Sequence, residues 1–591
     1  MSPAVLSPSR LHSEADLASA HGLLGCLVRE VAGPDGQTVL GDGHLLVHLA
    51  HISVHLRARV ARVSVVAMHR FEGPVELLTN GQWNPISLAE LASLTARELT
   101  ARTGTPNPEF KDQVCASRDS LADILAWRPL GPSRAVASGA AEFLDSEQAL
   151  IGGHPRHPSP KWRSGDPAQW RNFSPETRTA FRLRWLAVPD AAVVEHADGG
   201  SFDEHLMTRR VLDGTVLPAG HRAVPVHPWQ FQMLSEDPAL GPVIGQALAE
   251  GALADLGEAG LPFHPTASVR TLYQPETDVF LKTSLNVRIT NCLRKNAAYE
   301  LSGAVALTGL LADTLATLQD THPGFGLLSE PAARSVELPG HLGTADQRLA
   351  LLEGFGSIVR SGLRNAAGGS ARVHLLGSLA ATSPDPAGTS TRLADLAPAT
   401  GAGSAHWASE WWERYVGLLV PPVLRLWAEH GIVLEPHLQN VLAVLDTDGL
   451  PCKVLARDLE GTKLIASRHA RTLAALPAEV ARGAAYDEER SWNRIAYCLF
   501  VNNLAEVAGA LADLVPEDPA FEDTLWARLS GVVERVSGEL GRPARLRALL
   551  AGVPLPAKAN MLIRWQRAAD RHAGYVPFPN PFGTALPEEA L

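Results

Sequence analysis

Between Val279 and Asn296 the chain reads VFLKTSLNVRITNCLRKN, and every charged side chain in it is a cation: Lys282, Arg288, Arg294 and Lys295. Lys282, Ser284, Asn286, Arg288 and Thr290 fall on even positions, while Leu281, Thr283, Leu285, Val287 and Ile289 fall on odd ones. Side chains of a strand alternate between faces, so this spacing predicts a strand with one buried face and one cationic, hydrogen-bonding face. A solvated face usually mixes signs. In a chain of formal net charge −11, an acid-free cationic face predicts an anion site, the plainer alternative being a solvent-facing strand edge.

A second cluster lies in EPHLQNVLAVLDTDGLPCKVLARDLEGTK, residues 435–463. Residues 441–445 and 453–456 are strand-like, and Asp448-Gly449 between them is a hairpin signal. With those two residues as the loop, Asn440 faces Arg457, and His437, Gln439 and Asn440 come beside Asp458 and Glu460. An Asn with one or two carboxylates suits Mg²⁺ as a hard-oxygen site; the alternative is an exposed hairpin end. Kinase-like phosphotransfer would need an Asp about five residues before the Asn as base, and Glu435, His437 and Gln439 stand there instead. A carboxylate attacking the α-phosphate of a nucleotide needs no base, so adenylation fits better. There is no GxxxxGK[ST] and no GxGxxG, which excludes P-loop and Rossmann arrangements.

The elements that must position these residues follow. HPTASVRTLY (264–273) reads as a strand and QPETD (274–278) as a joint, so symmetric closure sets Tyr273 against Val279, Arg270 against Lys282 and Ser268 against Ser284. Two opposed cations repel unless an anion lies between them, and a nucleotide triphosphate would fit. GHPRHPSPKWRSG (153–165) carries three prolines, two histidines and three cations without an acid, which predicts a rigid functional loop. PVHPWQ (225–230) repeats the His-Pro pair with Trp229 as a buried anchor. Helices are predicted near 14–29, 87–103, 110–127, 134–151, 299–318, 405–430, 491–514 and 521–540, with Trp407, Trp411, Trp412 and Trp427 in the core. His44, His48, His51 and His55 sit in an alternating stretch (39–66) and read as strand residues rather than a metal-binding helix face. Residues 366–404, rich in Gly, Ala, Ser, Thr and Pro, read as a linker holding a domain boundary.

At 591 residues the chain exceeds one core, and about two to four domains are expected. Hydrophobic content of 46% and charged content of 19% describe a soluble globular protein. The negative charge and lack of a basic run argue against nucleic acid. Five scattered cysteines with no CxxC predict a reducing compartment. No leader segment and no membrane span are read, the most apolar window being broken by Pro421 and Pro422, so a cytoplasmic location is expected.

Taken in order, GHPxHPxxKxRxG, PVHPWQ, PTASVRT, KTSLNVRITNxxRK, EPHLQN and RDLEG resemble the NRPS-independent siderophore synthetases, the aerobactin-synthetase-like family, over about residues 153–463. The resemblance implies an α+β cupped hand: a thumb (1–152, largely helical with a small sheet), β-rich fingers carrying ATP-binding strands (153–380), and a mostly helical, distantly kinase-like palm (381–591). It implies ATP and Mg²⁺ as cofactors, adenylation of a carboxylate such as citrate or a citryl monoamide, capture by an amine or hydroxyl, and a homodimer. Ser268, Arg270, Thr271, Lys282, Arg294, His437, Gln439 and Asn440 would hold the nucleotide, with Lys282, Arg294 and His437 as the catalytic group. Glu435, Asn440 and Asp458 would hold Mg²⁺. His154, His157, Lys161, Arg288, Thr290 and Arg294 would face the substrates. Asp166-Pro167 after Gly165 departs from the expected apolar residue. Citrate suits the surplus of Arg156, Arg163, Arg288 and Lys295; a succinylated hydroxamate would use fewer cations. A small-molecule kinase and a non-catalytic anion-binding protein remain the alternative readings.

Overall fold

The computed structural model describes residues 8–128, 140–290, 292–369, 372–383, 390–398, 402–568 and 574–583. The chain is α+β. Its N-terminal part packs helices Pro8–Leu27, Leu88–Thr103 and Phe110–Trp127 against a five-stranded antiparallel meander of strands in chain order. Ser87 and Glu90 form a reciprocal capping box that starts the second helix. His48 pairs with His55 across adjacent strands, their rings stacked at 4.5 Å. Of the helix expected over 134–151, the structure shows Ala141–Glu147; 134–139 lie outside the described residues.

An eight-stranded sheet forms the middle, in the order 193–197, 332–336, 357–360, 279–283, 271–274, 254–265, 181–189, 221–226. A second sheet, of four strands, joins Phe325–Leu327, Pro451–Ala456, Val441–Leu445 and Val373–Leu375. The expected division at 380/381 therefore does not separate the sheets, since strands from 325–327 and 373–375 pair with those of the 441–456 hairpin. Nor are the described residues of 366–404 a linker: they supply the strand Val373–Leu375 and the buried helix Leu376–Ala380. Small residues there serve close packing; Gly377, for example, approaches Leu438, whose carbonyl it hydrogen-bonds through its N–H.

The helix Ala402–Ala428 runs on through Pro421 and Pro422 and buries Trp407, Trp411, Trp412 and Trp427 in the largest core. Two helical runs, Ala298–Thr321 and Glu488–Ala512, are long and apolar enough to cross a bilayer, where the sequence reading found no such window; 94% of the apolar window in the second is buried inside the protein. Residues around 30 and around 561 are clasped together. Met561 and Trp565 complete the N-terminal core, and buried Glu30 accepts the Met561 and Leu562 N–H groups at 2.8 and 3.0 Å.

Two expectations at the centre need correction. The stretch 279–296 is not one strand: Val279–Thr283 lies wholly buried in the eight-stranded sheet, the ladder breaks at Ser284, and Leu285–Ile289 turns away to pair with Cys292–Arg294. The hairpin register is also displaced by one residue, with Gln274 facing Val279 and Thr271 facing Lys282. The cause is local. Val269 takes a left-handed φ of +69°, costly for a β-branched residue. Its N–H reaches Thr266 O at 2.8 Å, while Thr266 N and Thr271 O bond at 2.9 Å. PTASVRT is thus a tight turn that ends one strand and starts the next, and Arg270 projects from the turn rather than the ladder.

Candidate active site

Lys282, buried on a central strand, finds its anions within the chain. Its Nζ donates to Asp458 Oδ1 at 2.7 Å and to Glu460. Arg270 donates to Asn296, and its Nη2 lies 3.7 Å from Glu460. Arg360, on the adjoining strand, bridges Glu330 at 2.6 Å and Asp458 at 3.0 Å. The two clusters that the sequence places 176 residues apart are therefore one site. Burial opposes the Lys282 charge, but Asp458 and Glu460 outweigh it and hold the ammonium above its usual range. Burial likewise opposes the Asp458 charge, and Lys282 and Arg360 pull that carboxyl far below its own. Asp458 itself sits at a left-handed φ of +78°. Ser268 caps the turn by accepting the Thr271 N–H at 3.1 Å, and Ser284 Oγ ties Asn296 N to Glu353 O.

The 441–456 hairpin keeps the register read from Asp448-Gly449: Val441 faces Ala456, and the Arg457 N–H meets Asn440 O at 3.0 Å. Its turn is longer than two residues, running from Asp446 to Leu450 beside a bulge. In the EPHLQN loop, His437 Nδ1 accepts the Gln439 N–H at 3.2 Å. That bond leaves the proton on Nε2, and burial lowers the His437 pKa, so a neutral ring presents a donor. Glu435 pairs with Arg494 at 2.7 Å and packs on Gly461, where an added Cβ would lie 2.8 Å from Oε2. Asn440 is buried, and its Nδ2 has no hydrogen-bond partner among the described residues. Gln439 offers its carbonyl to Arg457, itself held by buried Glu147 at 2.5 Å.

The sequence reading missed the pair that anchors this loop. Asn503 Nδ2 donates to Pro436 O at 2.8 Å and Asn502 Oδ1 accepts the Leu438 N–H at 3.1 Å. Asn502 Nδ2 also lies 2.9 Å from His154 Nε2. Both stand in the π-helical segment Ala496–Leu504. Two asparagines inside an otherwise apolar helical run were the available signal, because a buried amide must be bonded.

The segment 153–165 is a loop apart from one antiparallel bridge, Arg163 with Ile289, and its polar groups are largely committed. His157 Nδ1 accepts the Ser159 N–H at 3.1 Å, and Lys161 Nζ bonds Leu150 O at 2.9 Å and Glu176 at 2.5 Å. Among the surplus cations, Arg156 pairs with Glu506 at 3.0 Å, Lys295 with Glu353 at 2.5 Å, and Arg163 stacks on Trp170 at 4.5 Å. Arg288 is exposed, and Thr290, with a left-handed φ of +56°, gives its carbonyl to Arg564 at 2.7 Å. Arg564 stacks on Trp162 at 4.3 Å. Arg294 is half-buried on the short hairpin opposite Leu285. Asp166 resolves the departure after Gly165: it caps the helix Pro167–Phe173 with Pro167 in its first turn.

A basic turn, the Asp458 and Glu460 carboxylates on Lys282 and the EPHLQN loop meet on an α+β scaffold, and the chain belongs to the IucA / IucC family. The match to that family covers residues 142–381, and residues 409–573 match the family described as ferric iron reductase FhuF-like transporter. The chain is 31% identical to L-2,3-diaminopropanoate–citrate ligase of Staphylococcus aureus over 73% of its own length and 74% of the relative's. It is 29% identical to the rhizobactin siderophore biosynthesis protein RhbC of Rhizobium meliloti over 94% of each chain. Among solved structures, ATP-bound aerobactin synthetase IucA of Klebsiella pneumoniae shares the fold with a TM-score of 0.80 at 23% identity, covering 96% of this chain and 99% of that one.

Proposed function

We propose that this chain is an ATP-dependent siderophore synthetase that adenylates a carboxylate and joins it to an amine, releasing AMP and pyrophosphate. The observation that carries the reading is the convergence of Lys282 and Arg270 on Glu460, with Asp458 also on Lys282, beside a loop with no aspartate base and with its one carboxylate, Glu435, paired to Arg494. The relatives' names favour citrate or a citryl monoamide as the acid, and a diamine or amino acid, often bearing a hydroxamate, as the acceptor.

In this reading Ser268, Arg270, Thr271 and Lys282 bind the phosphates, with Gln439 and Asn440 beside them and Asn440 Nδ2 as a waiting donor. His437 donates Nε2–H to charge growing on the α-phosphate, where a preorganised donor is most effective. Arg294 and Thr290 orient the carboxylate, with Arg288 free at the surface for a second acid group. His154, His157 and Lys161 close the site as a loop held by its own bonds. The residues present fit Mg²⁺: Asp458 and Glu435 both lie within electrostatic reach of His437, and Gly461 gives Glu435 its room. Bound there, the ion supplies neutralisation of phosphate charge. Cysteine usage supports a cytoplasmic setting, and the homodimer rests on resemblance alone.

ATP–pyrophosphate exchange over a panel of carboxylic acids tests the reading, with hydroxylamine as surrogate acceptor for product analysis. Citrate-dependent exchange and AMP are expected. ADP as the sole nucleotide product would replace the ligase by a kinase.

A further inference from the structure

Glu460 has no part in the chemistry above, yet it occupies the centre of the site. Its carboxylate bonds Lys282 Nζ and stands 3.7 Å from Arg270 Nη2. Lys282 and Arg270 side chains are 4% and 11% exposed, whereas Glu460 keeps 22% and stands nearer the opening. Two buried cations thus converge on one carboxylate as they would on phosphate oxygens. A phosphate that takes these cations must remove Glu460 from them, because a buried ammonium has few donor directions and Asp458 already holds one.

The displaced carboxylate then has a problem of charge. Asp458 shares the Lys282 ammonium with it, and Glu300, whose side chain accepts the Ala297 N–H at 2.8 Å, is close enough to feel the charge of Glu460. Metal-free triphosphate would add its negative charge to these three acids. A divalent cation arriving with the triphosphate neutralises the incoming charge and gives the released acids a partner.

We infer that Glu460 is a built-in stand-in for the polyphosphate, a latch that makes the site admit nucleotide as its divalent-metal complex and reject metal-free nucleotide. The inference rests on the nucleotide reading proposed above. It makes Glu460 a specificity-determining residue for the form of the nucleotide.

Calorimetric titration of the full chain with ATP, in EDTA and in excess Mg²⁺, tests it. Wild type is expected to bind metal-free ATP at least about tenfold more weakly than Mg·ATP. Glu460→Gln is expected to narrow that gap by about tenfold through tighter metal-free binding, the scale of one charge-assisted hydrogen bond. Tripolyphosphate in EDTA should show the same gain. Metal-free affinity left unchanged in Glu460→Gln overturns the inference; so does a loss of Mg·ATP affinity alone, which would make Glu460 a metal ligand. Should Glu460→Gln fail to fold, Glu460→Asp, whose shorter arm withdraws from Arg270, must show a smaller gain of the same sign, and no gain overturns the inference. Wild type that binds neither form removes the nucleotide reading itself. Wild type that binds both forms equally removes only the latch.

Discussion

Asn502 and His154 touch across 348 residues of sequence, the amide nitrogen 2.9 Å from the imidazole Nε2, while the same amide's oxygen accepts the Leu438 N–H. One side chain therefore fixes the rigid basic loop to the EPHLQN loop.

Asn502→Ala leaves the Leu438 N–H buried without its acceptor. It should cost about 1–3 kcal/mol of stability in urea denaturation. Hydrogen exchange should rise both at Leu438 and across 153–165. Faster exchange at Leu438 alone would mean that the two loops are not coupled through Asn502.

His437 should act through Nε2–H rather than as a base. Glutamine places an amide donor near that atom, whereas asparagine reproduces Nδ1. His437→Gln should therefore retain at least about tenfold more kcat/KM than His437→Asn, within the range set by loss of one preorganised donor. Equal losses in the two variants would rule out a donor role. Because burial lowers its pKa, any inflection that His437 contributes to kcat/KM should fall below the pH at which a free imidazole titrates.

Asp458 supports the fold as well as any metal. A carboxylate reserved for a solvated ion would add little stability, but this one serves Lys282 and Arg360, whose side chains are 4% and 3% exposed. Asp458→Asn should thus destabilise the nucleotide-free protein by about 1–3 kcal/mol, besides abolishing turnover. An unchanged urea midpoint would show that Glu460 and Glu330 suffice to hold the two cations.

Acid should weaken the fold before most carboxylates titrate. Burial pushes His227 down to about 3 and His264 to about 4. The unfolded chain, with His near 6.5, takes up protons that the folded chain refuses, so their stabilising effect is whole above about pH 6.5 and is lost as pH falls. At pH 5 the loss from His227 alone is about 2 kcal/mol. Glu300 works the other way, because burial and then Glu460 push it up to about 7, and it favours the fold as pH falls from there toward 4.5. His227 also caps the helix Pro228–Glu236 by accepting the Trp229 N–H. His227→Asn keeps an acceptor and removes the titration, so it should flatten the acid limb without lowering stability at pH 8. A limb of unchanged slope would place the acid sensitivity elsewhere.

Local signals made part of this site legible and left the rest hidden. Asp448-Gly449 placed Asn440 against Arg457 because an antiparallel ladder propagates register from its turn, and the bulge near Leu445 offsets the longer loop. The same logic misplaced Arg270 by one residue, since nothing in QPETD announces that Gln274 joins the ladder and leaves a four-residue joint, and no pattern in PTASVRT announces that a left-handed Val269 will hold Arg270 in a turn. Alternation identified Lys282 as chemically loaded but could not show it buried, because its partners Asp458 and Glu460 belong to another sheet's end. Asn502 and Asn503 hid in an apolar run whose periodicity speaks only of a helix. Composition misled at 373–380, where small residues meant tight packing rather than a tether.

The clasp between Glu30 and the Met561 and Leu562 amides has a consequence for how the protein is made. The first helix and the Arg29–Glu30 pair that follows it leave the ribosome long before their partners, and the buried Glu30 carboxylate has only the neighbouring Arg29 as a donor, at 2.7 Å, until residues 561 and 562 arrive. Arg29 waits likewise for the carbonyls of Arg156 and Lys558. A chain cut short before that point keeps a charged group facing an apolar interior, a state that folding disfavours strongly. Burial of the Arg29–Glu30 pair is thus coupled to the arrival of residues 558–562.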